Sequence, residues 1–224
     1  MKIYCIATGS KGNCYILENN IGRQIILDAG IPIGDITKSP AFKSFSNIDA
    51  VLITHLHKDH SKSMQELENI GLDIYSYNNL NNNDVIKLPN WKIIAFEGKH
   101  DCKVLGFVIL ELNERKIVAY ATDTYVLPKI PKIDNWLIEC NHDKDYVMEL
   151  IQKDNDDWFY LKGLLERHLS VQYLEEYFSS DKIKRPNNII TCHLGNCFHS
   201  KIEELLSPLT NNLYIAKKGG VYNI

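Results

Sequence analysis

The sequence lacks the features that mark membrane and secreted proteins. In its 224 residues no apolar run approaches the roughly 20 residues that a transmembrane helix needs. Residues 1–7 lead directly into a glycine turn rather than into the apolar core and cleavage site of a signal peptide. We therefore expect a cytoplasmic protein that has no membrane partner.

Cysteine pairs are also missing. None of the six cysteines forms a C-x-x-C motif, and most lie in apolar, strand-like segments. This pattern predicts reduced, buried thiols that pack as small hydrophobic residues, and it argues against a disulfide framework. The six are Cys5, Cys14, Cys102, Cys140, Cys192 and Cys197.

An excess of positive charge is absent as well. The chain has 25 Lys and Arg against 28 Asp and Glu, a formal net charge of −3. Bulk electrostatic attraction to nucleic acid is therefore not expected. Bound divalent cations would make one face more positive than this count indicates, which leaves local nucleic-acid binding open.

What is present is the composition of an ordinary globular chain, 45% hydrophobic and 24% charged. We find no internal repeat and no linker rich in Gly or Ser, so residues 1–224 are interpreted as one domain. Many short strand patterns with helices at intervals favour a layered α/β sandwich. Strands are predicted over residues 2–7, 14–18, 24–28, 50–54, 74–77, 91–96, 105–110, 116–121, 136–140 and 188–191.

Helices are predicted where apolar residues recur at helical spacing. Ser61 or Ser63 can cap one helix, which Gly71 ends, and Ser63 with Glu66 fits a capping box. Ser170 caps another, and Pro208 ends a last one. A further helix is predicted after the 136–140 strand.

The strongest signal is the segment T-H-L-H-K-D-H, directly after a predicted buried strand. In such a loop alternate side chains point into one cavity, so His55 and His57 can bind one metal while Asp59 and His60 face a second. A solvated polar loop is the alternative. Neutral imidazoles packed this densely beside a carboxylate favour a cation.

This H-x-H-x-D-H string resembles the signature of the metallo-β-lactamase superfamily. Four further segments are similar to the family's motifs: L-D-A-G at Asp28, G-K-H-D at His100, A-T-D-T at Asp123 and T-C-H-L at His193. The resemblance extends over nearly the whole chain. It implies a four-layer αββα sandwich, the fold of that family.

The resemblance also implies a site for two divalent metal ions, with Asp28 behind the ligands. The ligands would be His55, His57 and His100 for the first ion, Asp59, His60 and His193 for the second, and Asp123 for both. Zn is the first choice for so many imidazoles, and Mn also accepts such a mixed set. Taken alone, His100 or His193 is more often structural or exposed, and Asp123 is as readily a turn residue.

Two cations roughly 3.5 to 4 Å apart can share a hydroxide and place it in line with a scissile bond. Asp59 would orient that hydroxide as well as bind metal. The family's β-lactamases usually have cysteine or serine at the position of Asp123, so antibiotic hydrolysis is not expected.

Spacing and a further histidine discriminate among branches of the family. Residues 124–192 are too few for the domain that β-CASP nucleases insert, and residues 101–122 are too few for the binding arm of tRNase Z. The segments R-H-L-S at His168, T-G-S-K-G-N near the start and I-E-C-N-H-D resemble the YycJ/WalJ branch, which is related to tRNase Z. That branch contains nucleases acting on DNA ends. The chain departs from it after His193, where H-L-G-N replaces H-L-S.

Several residues have two interpretations. His168 would be a proton donor or phosphate contact at a helix N-terminus, or else an exposed residue beside a cap. Asn141 and His142 either line the site or make a turn. Ser10 and Asn13 lie in a hairpin turn that can reach a substrate phosphate.

The favoured hypothesis is a dinuclear metal-dependent phosphodiesterase that cleaves nucleic acid, DNA in particular. An alternative is hydrolysis of a small cyclic nucleotide, similar to phage enzymes of this fold that destroy bacterial immune signals. A third hypothesis is a metal-binding protein without turnover, which the complete set of expected ligands disfavours. A homodimer is left open.

Overall fold

Short β-branched runs separated by turns form the two sheets around which the protein is built. The computed structural model describes residues 1–153, 157–195 and 200–224. The strands in these ranges are β1 (Lys2–Ala7), β2 (Cys14–Glu18), β3 (Gln24–Leu27), β4 (Ile48–Leu52), β5 (Ile74–Tyr75), β6 (Val85–Lys87), β7 (Trp91–Glu97), β8 (Leu105–Glu111), β9 (Ile117–Ala121), β10 (Asn135–Glu139), β11 (Asn188–Cys192), β12 (Asn212–Ile215) and β13 (Val221–Asn223).

Helices occupy the connections between strands. They are α1 (Ile33–Thr37), α2 (Lys58–Ser61), α3 (Met64–Asn69), α4 (Lys144–Gln152), α5 (Trp158–Arg167), α6 (Val171–Ser179) and α7 (Ser200–Leu206), with single 3-10 turns at Phe45–Asn47 and Ser207–Leu209. None of the helices within the described ranges is long and apolar enough to span a bilayer.

The two sheets have six and seven strands. The first has the order β13-β1-β2-β3-β4-β5, and the second has the order β12-β11-β10-β9-β8-β7-β6. Each sheet contains a parallel block, β3-β4-β5 in the first and β9-β10-β11-β12 in the second. These parallel blocks supply the strand ends that build the site.

Three apolar cores define four layers. Between the sheets, Leu27 and Leu52 pack with Phe107 and Tyr120. Helices cover both outer faces: Leu67 of α3 packs on the first sheet, and residues of α6 and α7 pack on the second. The predicted αββα sandwich is therefore confirmed.

The predicted strands agree with the structure to within one to two residues at most ends. The predicted capping box is wrong, since Ser63 makes no cap bond and its hydroxyl instead donates to the carbonyl of Ile31 at 2.6 Å. Ser170 does cap α6, accepting from the backbone N–H of Tyr173. Helix α5 was not predicted from the sequence, because its three consecutive aromatic residues and internal Gly163 obscure the helical period.

The cysteines within the described ranges are free thiols, as predicted. Cys102 departs from the expected burial, because it is half-buried in the loop after His100 instead of lying inside a strand. Cys197 lies outside the described residues.

Candidate active site

Five of the predicted site residues lie where parallel strands end. Asp28 directly follows β3, and His193 directly follows β11. His55, Asp123 and Asn141 lie two to three residues beyond β4, β9 and β10. Because the carboxyl ends of parallel strands meet at one edge of a sheet, residues distant in sequence converge there.

Asp28 is fully buried and holds parts of both sheets together. One carboxylate oxygen accepts the backbone N–H of Thr54 at 2.8 Å. The other lies 2.6 Å from the hydroxyl of Tyr120 on the second sheet and 2.7 Å from Nδ1 of His60. Asp28 thus fixes the ring of His60 with Nε2 turned toward Asp123, the arrangement that a carboxylate behind a metal-binding histidine provides.

His55, His57 and His100 form the first histidine group. Their ring centroids are 4.6 to 5.3 Å apart. Burial, with a smaller contribution from the neighbouring His60, lowers the pKa of His55 to about 2, so its imidazole is neutral. Nδ1 of His55 lies 3.1 Å from the hydroxyl of Thr54, and its buried Nε2 has no hydrogen-bond partner.

The second group joins Asp59 and His60 to Asp123 and His193. One ligand atom from each of these four lies within 4.8 Å of the others. Oδ2 of Asp123 is 3.5 Å from Nε2 of His60 and 3.6 Å from Nε2 of His55, so this carboxylate lies between the two groups. Its Oδ1 is 2.5 Å from Nδ1 of His193.

Both groups suit a divalent cation. An unpartnered, neutral imidazole nitrogen in the interior is costly unless it binds something, and His55 Nε2 is such an atom. Burial raises the pKa of Asp123, but His193 and His60 lower it by more, to well below its usual range. A buried carboxylate among imidazole nitrogens is the donor set of metal sites that take Zn or Mn.

Two residues next to His100 were missed by the sequence reasoning. The Cys102 sulfur belongs to the first group, within 4.8 Å of the ligand nitrogens of its three histidines. One oxygen of Asp101 lies 3.2 Å from Nε2 of His100 and 3.4 Å from Nε2 of His57. Their adjacency to His100 in the sequence was the available signal.

The half-buried His168 pairs with the fully buried Glu139, a residue of the I-E-C-N-H-D segment. Nδ1 of His168 is 3.0 Å from Oε2 of Glu139. The other Glu139 oxygen accepts the backbone N–H groups of Thr124 and Leu169, which locks the carboxylate in place. Burial lowers the pKa of His168, but the charge of Glu139 raises it by more, above its ordinary value.

His168 is the C-cap residue of α5 and lies two residues ahead of Ser170, the N-cap of α6, so it stands at the start of that helix as expected. Its ring reaches the histidine cluster, with its centroid 5.5 Å from those of His100 and His193.

The hairpin turn after β1 contributes in two different ways. Asn13 is fully buried, and its side-chain nitrogen lies 3.1 Å from Nε2 of His60, with its oxygen accepting the backbone N–H of Gly9. It therefore contacts the same His60 nitrogen that faces Asp123. Ser10 is exposed at the tip of the turn.

Asn141 and His142 lie beside the cluster. The side-chain nitrogen of Asn141 donates to the carbonyl of His193 at 3.2 Å, while its oxygen is buried without a partner. His142 is 1% exposed, its Nδ1 also lacks a partner, and burial lowers its pKa to about 4. Together with His168 it lines a pocket of about 240 Å³.

Three site residues have left-handed backbone conformations that non-glycine residues seldom adopt. Asp28, Asp123 and His193 have φ values of 56°, 49° and 47°. Each turns the chain sharply as it leaves a strand, which aims the side chain back into the cluster. Such conformations persist where the surrounding structure fixes them, and they concentrate at functional sites.

Comparison with known proteins defines the class. Residues 7–71, which include the H-x-H-x-D-H string, match the Metallo-beta-lactamase superfamily. This match, together with the four-layer fold and the histidine and aspartate groups, indicates a metal-dependent hydrolase similar to the members of that superfamily.

Individual relatives are more distant. The chain is 24% identical to Exodeoxyribonuclease WalJ of Streptococcus pneumoniae over 239 residues, which cover 91% of this chain and 84% of the relative. Among solved structures, YhfI from Bacillus subtilis superposes with a TM-score of 0.72 at 15% identity, covering 99% and 98% of the two chains. The short form of human tRNase Z gives a TM-score of 0.66 at 14% identity, covering 100% and 99%.

Proposed function

We propose that this protein is a dinuclear metal-dependent phosphodiesterase that hydrolyses nucleic acid, with DNA as its substrate. The observation that carries the proposal is the position of Asp123. Its carboxylate lies between two groups of metal-binding side chains, and the His168–Glu139 pair stands at their edge. This combination provides both a metal centre and a separate proton donor.

In this proposal the site residues have separate roles. His55, His57 and His100 would hold one ion, Asp59, His60 and His193 the other, and Asp123 both. Bound Zn or Mn ions would supply a hydroxide at neutral pH and neutralise charge on the attacked phosphorus. Asp28 keeps the ring of His60 oriented from behind, and Asn13 contacts the Nε2 atom of that ring.

His168 acts as the general acid. The Glu139 carboxylate accepts its Nδ1–H, which leaves Nε2 as the ring atom that faces a substrate. The raised pKa favours the protonated ring, which can donate a proton to the departing oxygen of the phosphodiester. Asp59, whose side chain is 26% exposed, would orient the attacking hydroxide.

Similarity to a deoxyribonuclease over 91% of the chain supports DNA as the polymer. We extend the proposal to a cytoplasmic enzyme of one domain. The net charge of −3 means that strand binding depends on the metal centre and on local contacts, because bulk attraction is lacking.

The test compares initial rates of the Mn- and Zn-loaded protein on 5′-phosphorylated single-stranded DNA and on cyclic mononucleotides. Asp123→Ala provides the blank. Faster turnover of the polymer is the expected result. Turnover of neither substrate class would overturn the phosphodiesterase proposal while leaving the metal centre intact.

Hydrolysis of a cyclic nucleotide is the second candidate. The pocket lined by His168 and His142 has a volume of about 240 Å³, the scale of a single small ligand rather than of a strand. Preference for a cyclic mononucleotide in the same assay would favour this alternative.

A further inference from the structure

A groove of about 510 Å³ lies beside His100. Helix α5 forms one wall, with Trp158, Phe159, Lys162 and Arg167. Because His100 lines the groove and also belongs to the first histidine group, the groove continues directly from the site.

The aromatic side chains of this wall face solvent. Phe159 is 84% exposed and Trp158 is 40% exposed. Their ring centroids are 4.9 Å apart in an edge-to-face arrangement, and Nζ of Lys162 lies 5.2 Å from the Trp158 centroid. Leu161 and Leu164 of the same helix are buried, so α5 is anchored while its aromatic start remains open.

The charges in the groove compensate one another. Lys162 lies 3.6 Å from Glu166, and Arg167 lies 3.4 Å from Asp101. Gly163 leaves room for this arrangement, since a Cβ there would stand 2.1 Å from the Arg167 guanidinium. A groove with paired charges and open aromatic faces suits a flat, uncharged group better than a phosphate.

We propose that the α5 groove binds a nucleobase of the substrate strand by stacking on Trp158 and Phe159. The base belongs to a nucleotide next to the phosphodiester bond at the metal centre. Stacking on aromatic side chains provides sequence-tolerant affinity in single-strand binding proteins, and here it compensates for the lack of bulk positive charge. This inference rests on the proposed nuclease function.

Tryptophan fluorescence tests the binding without relying on turnover. Trp91 and Trp136 are fully buried, so quenching by an added strand reports on Trp158. Titrating the Zn-loaded protein with a phosphorothioate thymidine hexanucleotide, which resists hydrolysis, should give saturable quenching. Trp158→Leu should abolish that signal, and Phe159→Ala should weaken binding about five- to a hundredfold.

Tyr160 provides the matched control. It is the next aromatic residue of α5 and is 53% exposed, but it does not line the groove. Tyr160→Ala should leave the affinity unchanged. Equal losses in the Phe159 and Tyr160 variants, or no loss in either, would overturn the proposal.

A kinetic comparison separates this inference from the proposed function. Phe159→Ala should raise KM for the 5′-phosphorylated DNA and leave hydrolysis of methyl p-nitrophenyl phosphate, which has no base, unchanged. If the wild-type protein cleaves DNA but Phe159→Ala does so with unaltered KM, the groove proposal fails and the nuclease function stands. If the strand quenches Trp158 without being cleaved when unmodified, the nuclease proposal fails and the groove stands. If Phe159→Ala changes the molar mass measured by light scattering but leaves the strand affinity unchanged, the groove binds a second copy of the chain and the proposal is overturned.

Discussion

The metal-binding floor, formed by the two groups of histidine and aspartate side chains around Asp123, shares His100 with the α5 groove, yet the two regions are built differently. On the floor, Asp28, His55 and His60 are fully buried, and Asp28 bonds to partners from both sheets. In the groove, Trp158 and Phe159 project from one helix and are largely open to solvent. The difference indicates that the reactive groups need a rigid, buried environment, whereas the proposed base-stacking surface does not.

This contrast predicts that substitutions on the floor affect metal binding and catalysis, whereas those in the groove affect substrate affinity. The largest effect is expected for Asp123→Ala, which removes the carboxylate between the two groups. We expect loss of at least one metal ion and activity below detection, measured by elemental analysis after gel filtration and by initial rates. Asp134→Ala is the control, because Asp134 precedes β10 at the strand end opposite the site. This variant should retain both its metal content and its activity. Full activity with normal metal content in Asp123→Ala would contradict the assigned role.

His168→Ala should come next. Loss of a general acid typically lowers the rate about 10²- to 10⁴-fold, and the metal content should remain normal because this ring is not assigned as a ligand. Glu139→Gln should give a smaller loss of the same kind, since it removes the charge that raises the pKa of the His168 ring. Loss of metal from the His168 variant would show that it is a ligand and not an acid.

Asp28→Asn should weaken metal binding at the floor without abolishing it. The amide keeps the shape of the side chain but loses the negative charge facing His60 and Tyr120. Removing a carboxylate that supports a ligand typically reduces metal affinity about 10- to 100-fold. Competition with a fluorescent zinc chelator measures this affinity, and an unchanged value would mean that Asp28 serves the fold alone.

The smallest effect, a loss of stability alone, is expected for a substitution at the start of α4. Asp143 caps α4 by accepting the backbone N–H groups of Asp145 and Tyr146, so Asp143→Ala should cost about 1 kcal/mol of stability at pH 7. Metal content should not change. A variant as stable as the wild-type protein at pH 7 would exclude the cap as a contributor.

The same cap predicts a pH dependence. Burial raises the pKa of Asp143, but Gln172, the Tyr146 N–H and Lys201 lower it by more, so the folded value lies below the ordinary one. A depressed carboxyl pKa contributes stability above the unfolded value of about 3.9 and loses it as the pH falls through the folded value. The stability difference between variant and wild type, measured by thermal denaturation, should therefore shrink below about pH 4.

Much of the fold was predictable because local patterns agree with it. The apolar runs that became β1, β2, β9 and β11 are bounded by clear turns, so their positions follow from the sequence. Ser170 and Gly71 also act as predicted, one as a cap and one at a positive φ of 95°. Helix α5 escaped prediction because its aromatic start is exposed, contrary to the usual pattern of an amphipathic helix.

By itself, the amino-acid sequence determined the candidate metal-binding residues, since the clustered H-x-H-x-D-H motif and its ordered partners are readable along the chain. The tertiary structure alone decided their geometry. Three features join segments that are separated in sequence or differently oriented. They are the pairing of Glu139 with His168, the position of Cys102 beside three histidines, and the continuity of the α5 groove with His100. Such contacts depend on how parallel strands and their connections pack, which no local pattern encodes.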